Sequence, residues 1–129
     1  MASGMSTTLR NARLDAITTA VGASGLIKVY DGTRPATGGT ATTLLATLTC
    51  SSTFAAAAAS GVLTLNAVTS NAAVATSTAT WARITTSGGT FVCDVSVGTS
   101  AADLILNTTS IVSGANVAVT SGTFTEGNA

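Results

Sequence analysis

The sequence predicts a mainly β protein, a jelly-roll-like β-sandwich or barrel with one N-terminal α-helix. Three observations carry this. One stretch near the N-terminus has a helical period, the chain after Leu26 alternates with period two, and turn-forming residues separate the alternating runs. No helical stretch falls between the later runs, as a parallel βαβ fold would require. A length of 129 residues suits a single domain. Residues 9–129 form that domain, with the helix over 9–21, and residues 1–8 read as a flexible lead-in. Met5 is a candidate natural start, which makes Met1 to Gly4 an appended leader.

The helical stretch from Thr8 to Val21 places Leu14, Ile17 and Val21 on one stripe, widened by Leu9, Ala12, Ala16 and Ala20. Ser6, Thr7 or Thr8 can cap its start, and Gly22 offers a left-handed stop. Arg10, Arg13 and Asp15 sit beside the stripe and are the densest charge cluster in the chain. They read either as a solvated helix face or, because charge is scarce elsewhere, as a docking face.

From Leu26 to Asp31, Ile27 and Val29 alternate against Leu26, Lys28 and Tyr30. Thr42 to Cys50 sets Leu44, Ala46, Leu48 and Cys50 opposite Thr43, Leu45, Thr47 and Thr49. Gly61 to Asn66 turns Leu63 and Leu65 inward. Ala79 to Thr86 puts Trp81 and Arg83 against Thr80, Ala82 and Ile84, and Thr90 to Val97 puts Phe91, Cys93, Val95 and Val97 on one side. Leu104 to Asn107, Ser110 to Val112 and Asn116 to Phe124 complete the series. β-Branched residues are frequent in these runs, as strands prefer. Gly88-Gly89 reads as a hairpin turn. Asp31-Gly32 through Gly38-Gly39, with Pro35, reads as a long surface loop, and Thr69-Ser70-Asn71 and Ser113-Gly114 read as further turns.

Composition narrows function. Charged residues are 8% of the chain, against about 25% in an average domain. Five basic and five acidic residues cancel, and histidine is absent. Serine and threonine supply about a third of the residues, so hydroxyls and amides keep the surface wet. A chain without histidine has no Ser-His-Asp or Cys-His relay and no histidine-bound metal. Two cysteines cannot build a four-cysteine zinc cage. Zero net charge argues against a nucleic-acid partner. The longest alanine-rich run, Phe54 to Ala59, is far short of the roughly 20 apolar residues that span a bilayer, and the polar start does not read as a Sec signal. No catalytic, cofactor-binding or metal site is therefore expected.

Weaker signals have bland readings. Asp31, Asp94, Asp103 and Glu126 could formally supply a glycosidase carboxylate pair, but nothing in the sequence brings two of them together. Asn107-Thr108-Thr109 matches a glycosylation acceptor at a frequency this composition yields by accident. Thr76, Thr78 and Thr80 form a threonine ladder of the kind that orders water or ice, yet it does not recur at a fixed period. Trp81 and Arg83 share a strand face; a core tryptophan with the arginine stem beside it is favoured over a stacked cation–π pair. Cys50 and Cys93 fit reduced, buried thiols better than a disulfide, though neighbouring strands could bring them together. Small side chains give a thin core, and sparse charge leaves strand edges poorly guarded, so the edges are expected to be paired in an assembly.

The order of fragments has a further meaning. Leu9-Arg10-Asn11-Ala12-Arg13-Leu14-Asp15-Ala16-Ile17 precedes a glycine link and Leu26-Ile27-Lys28-Val29-Tyr30-Asp31-Gly32, with Pro35-Ala36. Thr43-Leu44-Leu45-Ala46-Thr47-Leu48, Trp81-Ala82-Arg83-Ile84, Asp103-Leu104-Ile105-Leu106-Asn107 and Ser110-Ile111-Val112-Ser113-Gly114 follow, then Phe124. This arrangement resembles the small cement, or decoration, proteins of tailed-bacteriophage capsids over nearly the whole chain from Leu9. The resemblance implies a jelly-roll-like fold without catalysis, made in the bacterial host cytoplasm and bound to the outer capsid of the virion. It implies a homo-oligomer, with a dimer favoured, that bridges adjacent major capsid proteins. Leu9, Arg10, Arg13, Asp15 and Ile17 are the candidate interface residues. The rival reading is a carbohydrate- or surface-binding adhesin module with a β-sandwich, and a third is an ice-active protein.

Overall fold

The computed structural model describes residues 4–125; Met1 to Ser3 and Glu126 to Ala129 lie outside the described residues. The helix α1 (Thr7–Val21) begins two residues before position 9. Ser6 caps it, its Oγ accepting from Leu9 N–H at 3.1 Å. Gly22 stops it with φ +72°, a conformation that costs glycine nothing, and donates its N–H to Thr18 O at 3.1 Å. The buried stripe is narrower than expected. Leu14 and Val21 are buried and Ile17 is partly buried against the core, whereas Leu9, Ala12, Ala16 and Ala20 face outward. Leu14, Ile17 and Val21, spread over two turns, are the residues the helix sets against the core.

Eleven strands follow among the described residues: β1 (Leu26–Asp31), β2 (Leu44–Cys50), β3 (Val62–Thr64), β4 (Val68–Thr69), β5 (Asn71–Ala72), β6 (Ser77–Thr85), β7 (Phe91–Gly98), β8 (Leu104–Leu106), β9 (Ser110–Ile111), β10 (Asn116–Val117) and β11 (Val119–Thr125). The protein is mainly β with one N-terminal helix, as its patterning predicts, and the main sheet curls into a half-barrel. Its order is β3-β11-β8-β7-β6-β1-β2-β4, with β9 joined to β6, while β10 and β5 form a second small sheet. Pairing is antiparallel except for β7 with β8. The expected turn at Thr69-Ser70-Asn71 instead holds the ends of β4 and β5, short strands that flank β2. Asn71 Nδ2 and Val74 N–H donate to the β2 carbonyls of Thr47 and Leu45.

The inner face of the sheet carries Ile27, Val29, Ala46, Leu48, Ala82, Ile84 and Val95, all buried, with Phe54, Leu63 and Leu104 filling the middle. Gly25 sits where α1 meets the sheet. A Cβ there would stand 2.2 Å from Val21 Cγ1 and 2.9 Å from Thr85 O, so the close approach needs glycine.

Two β-bulges correct the expected strand faces. On β2, Val29 faces Ala46 while Tyr30 faces Leu44, so Leu45 is an extra residue. It turns into the core, 0% exposed, and Leu44 leaves the face shared by Ala46 and Leu48. On β7, Ile84 faces Cys93 while Thr85 faces Phe91, so Val92 is extra and Phe91 moves to the face opposite Cys93. The cause is the turn: Thr86 N–H donates to Thr90 O, leaving the three residues Ser87 to Gly89 in the loop rather than two, and the bulge restores the register. The sheet ends in strands of three and two residues, β3 and β4. Very short edges are themselves a guard against stray pairing, which weakens the case for assembly drawn from unprotected edges.

Candidate functional site

The face of β1, β6 and β7 opposite the core carries the largest planar groups of the chain. Cross-strand register places Tyr30 beside Trp81 and Arg83 beside Asp94. Tyr30 and Trp81 stack with ring centroids 4.6 Å apart. The Arg83 guanidinium lies 5.3 Å from the Trp81 ring and, because the Val92 bulge re-aims Phe91, 5.2 Å from that ring as well. Trp81 is buried, but under the β1–β2 connection on the outer face rather than in the main core cluster, and the cation–π contact is present. Arg83 Nε donates to Asp94 Oδ1 at 2.7 Å and Nη2 to Oδ2 at 3.1 Å, a two-point ion pair with side chains only 14% and 4% exposed.

This array holds down the segment between β1 and β2, residues 32–43, as a strap. Arg83 Nη2 donates to Gly39 O at 2.8 Å, and Gly38 N–H donates to Asp94 Oδ2 at 3.3 Å. Trp81 Nε1 donates to Asp31 O at 3.0 Å and to Thr42 Oγ1 at 3.1 Å, the Thr42 hydroxyl donates to Asp31 O, and Thr80 Oγ1 donates to Gly32 O. Asp31 Oδ1 accepts from Thr43 N–H at 3.0 Å. The Ser77 hydroxyl above all, with that Thr43 amide, holds the Asp31 carboxyl below the ordinary carboxylate value. Burial pushes the Tyr30 phenol up, and the hydrogen-bonded Asp94 carboxylate raises the pKa of Arg83. With Trp81 1% and Tyr30 8% exposed under the strap, these rings offer a sugar no open platform.

The helix region separates the expected interface residues. Leu9 is 48% exposed and Arg13 is exposed, its Nη1 3.1 Å from Met5 Sδ; Arg10 donates to Thr7 Oγ1 at 3.1 Å. Asp15 and Ile17 turn inward instead. Ile17 packs against the core, and Asp15 Oδ1 accepts from Ala58 N–H at 2.8 Å. Asn11, one turn earlier, accepts from Gly61 N–H at 2.9 Å through Oδ1. The pair docks the helix onto the alanine-rich segment before β3, a role the sequence reading did not assign to either residue. Their i, i+4 spacing was the available signal.

Asp103 accepts from Ser96 N–H at 3.1 Å and from Ser96 Oγ at 3.2 Å, while its own N–H donates to Ser96 Oγ at 3.0 Å. The carboxylates proposed as a glycosidase pair each have internal partners: Asp94 is in its ion pair, Asp31 accepts from Thr43 and Asp103 is on Ser96, while Glu126 lies outside the described residues. In the threonine ladder, Thr76 Oγ1 accepts from Ser113 N–H at 2.9 Å and Thr80 is bound to Gly32, which leaves no uniform row of free hydroxyls. Cys50 and Cys93 are free thiols, as favoured, though only Cys50 is buried and Cys93 is partly exposed; burial pushes each up to about 11. They lie on β2 and β7, with β1 and β6 between. Three strand spacings of about 4.8 Å put them well beyond disulfide reach.

Comparison with protein-family models, curated proteins and solved structures finds no match to this chain.

Proposed function

We propose that the chain is a non-enzymatic structural protein that binds the outer surface of a bacteriophage capsid. As a homo-oligomer, with a dimer favoured, it bridges adjacent major capsid proteins and stabilises the shell. One observation carries the class: each described carboxylate is spent as scaffolding. Asp15 docks the helix, Asp31 and Asp94 hold the strap, and Asp103 braces β7. Acid–base chemistry needs a carboxyl group within reach of a reacting proton, and internal partners already occupy these. The partner is supplied by the resemblance that runs from Leu9 to Phe124. The outward face of α1, with Leu9 and Arg13 flanked by Ala12 and Ala16, is the contact surface put forward. Many symmetric copies let such a modest surface act through avidity.

The test adds purified protein back to capsids stripped of it. A rise in the temperature at which emptied capsids rupture, and sedimentation of the free protein as an oligomer, are the expected results. Leu9→Asp with Arg13→Glu should abolish the rise while leaving the protein's own melting temperature nearly unchanged. An unaltered rupture temperature with the native chain contradicts the proposal.

A further inference from the structure

Within the sheet, β7 has a stretch of edge without a partner strand. β7 pairs with β6 from Phe91 to Ser96, but on its other side β8 joins only at Val97 and Gly98. Phe91 to Val95 therefore have no partner strand on that side among the described residues; α1 is the other element that comes close to β7. Backbone direction alternates along a strand. Ser96 directs its N–H away from β6, where the Asp103 carboxylate takes it at 3.1 Å. Asp94, two residues earlier, directs its N–H and C=O the same way, beyond the reach of that cap. Beside this edge lies a cleft of about 390 Å³, with Val92, Cys93 and Asp94 on one wall and Arg34, Pro35, Ala36 and Thr37 of the strap on the other. The Asp94 charge is matched by Arg83. Arg34 is exposed at the rim, with no ion pair or hydrogen bond among the described residues.

We propose that this edge is a docking site for one extended segment of a partner protein. The segment adds a strand to β7 inside the cleft and brings an acidic side chain to Arg34. The backbone of Asp94 supplies one donor and one acceptor for the added strand, the mode in which main-chain hydrogen bonds give affinity and flanking side chains give specificity. The strap forms the far wall, so the space suits a single chain, and the unmatched cation selects the acidic residue. The Val92 bulge fits this role, since bulges recur where a strand ends its regular pairing.

The site is tested on the full chain, isotope-labelled, by amide exchange and amide chemical shift. In the free protein the Asp94 amide should exchange fast and those of Cys93 and Val95 slowly. The probe is an acetylated octapeptide of alternating threonine and valine ending in aspartate. It should shift and protect the amide of Asp94 and shift those of residues 34–37. Methylating alternate backbone nitrogens of the peptide should abolish the effect, and lysine in place of the aspartate should weaken binding about twofold to fivefold. Arg34→Glu should reverse that preference. The proposal is overturned by three results: no shift at Asp94 with millimolar peptide, equal binding of the methylated peptide, or protection of this amide that rises with protein concentration alone. The last would make the occupant a second copy of the chain. None of these readouts involves capsids, so the strand site and the capsid proposal stand or fall separately.

Discussion

The strap and the helix are attached to the same sheet by opposite means. The strap lies over the outer face and is held by a few large groups: the Tyr30–Trp81 stack, the Arg83 guanidinium between two rings, and one ion pair. The helix lies on the core side and is held by small contributions, Leu14, Ile17 and Val21 in the core and single amides to Asn11 and Asp15. In a chain with 4% aromatic and 8% charged residues, the large groups were concentrated in one place. Stability is therefore expected to be unevenly distributed: severe loss from single changes beneath the strap, graded loss around the helix.

Trp81→Ala should break the comparison most sharply. Removing a fully buried tryptophan costs about 3–5 kcal/mol. Here it also removes the stacking partner of Tyr30, one hydrogen bond to Thr42 of the strap and one to Asp31 O at the end of β1, so chemical denaturation should show the chain at or near the limit of folding. Asp94→Ala comes next, at about 3 kcal/mol, because it leaves Arg83 charged and largely enclosed. The double change Arg83→Met with Asp94→Leu should recover most of that loss, since apolar groups of similar size replace a buried pair at little cost. A double variant no more stable than Asp94→Ala would show that the pair is needed for its strap contacts rather than for mutual charge balance.

On the helix side, Asn11→Ala and Asp15→Ala should each cost about 1–2 kcal/mol by stripping the acceptor from an amide of Gly61 or Ala58. Helix amides should then exchange faster while those of β6 remain protected. The smallest effect is electrostatic. Asp31 has its folded pKa below the ordinary value of 3.8, so its contribution is complete above that value and is lost as pH falls through the lower folded one. Melting temperature followed through the acid range should fall less steeply in Asp31→Asn than in the native chain.

Much of this division was legible in the sequence, and the failures have physical causes. Period-two alternation located β1, β6 and β7 and the inward face of Ile27, Val29 and Ile84, because a half-buried strand must alternate. The helix cap and stop were readable from Ser6 and Gly22. Facing of Leu44, Leu45 and Phe91 was not, since a bulge inverts parity without a residue type that announces it. The Arg83–Asp94 pair was closer to hand: Arg83 lies five positions before Gly88 and Asp94 five after Gly89, on facing strands. Tracing pairing outward from the turn would have found it. Asp15 was assigned to the surface because its partner, the Ala58 amide, is a backbone group 43 residues away that no pattern reveals. The two-residue strands β4, β5, β9 and β10 depend on long-range contacts and are too short for any period to show.

The capsid-binding account is tested most directly by occupancy. Purified protein mixed with emptied, expanded phage shells and pelleted through a cushion should co-sediment at a fixed, saturable number of copies per shell. Saturation should coincide with resistance to heat rupture, and binding should be lost on Leu9→Asp with Arg13→Glu. A chain that stays in the supernatant at every concentration, or pellets without a plateau, would contradict the account.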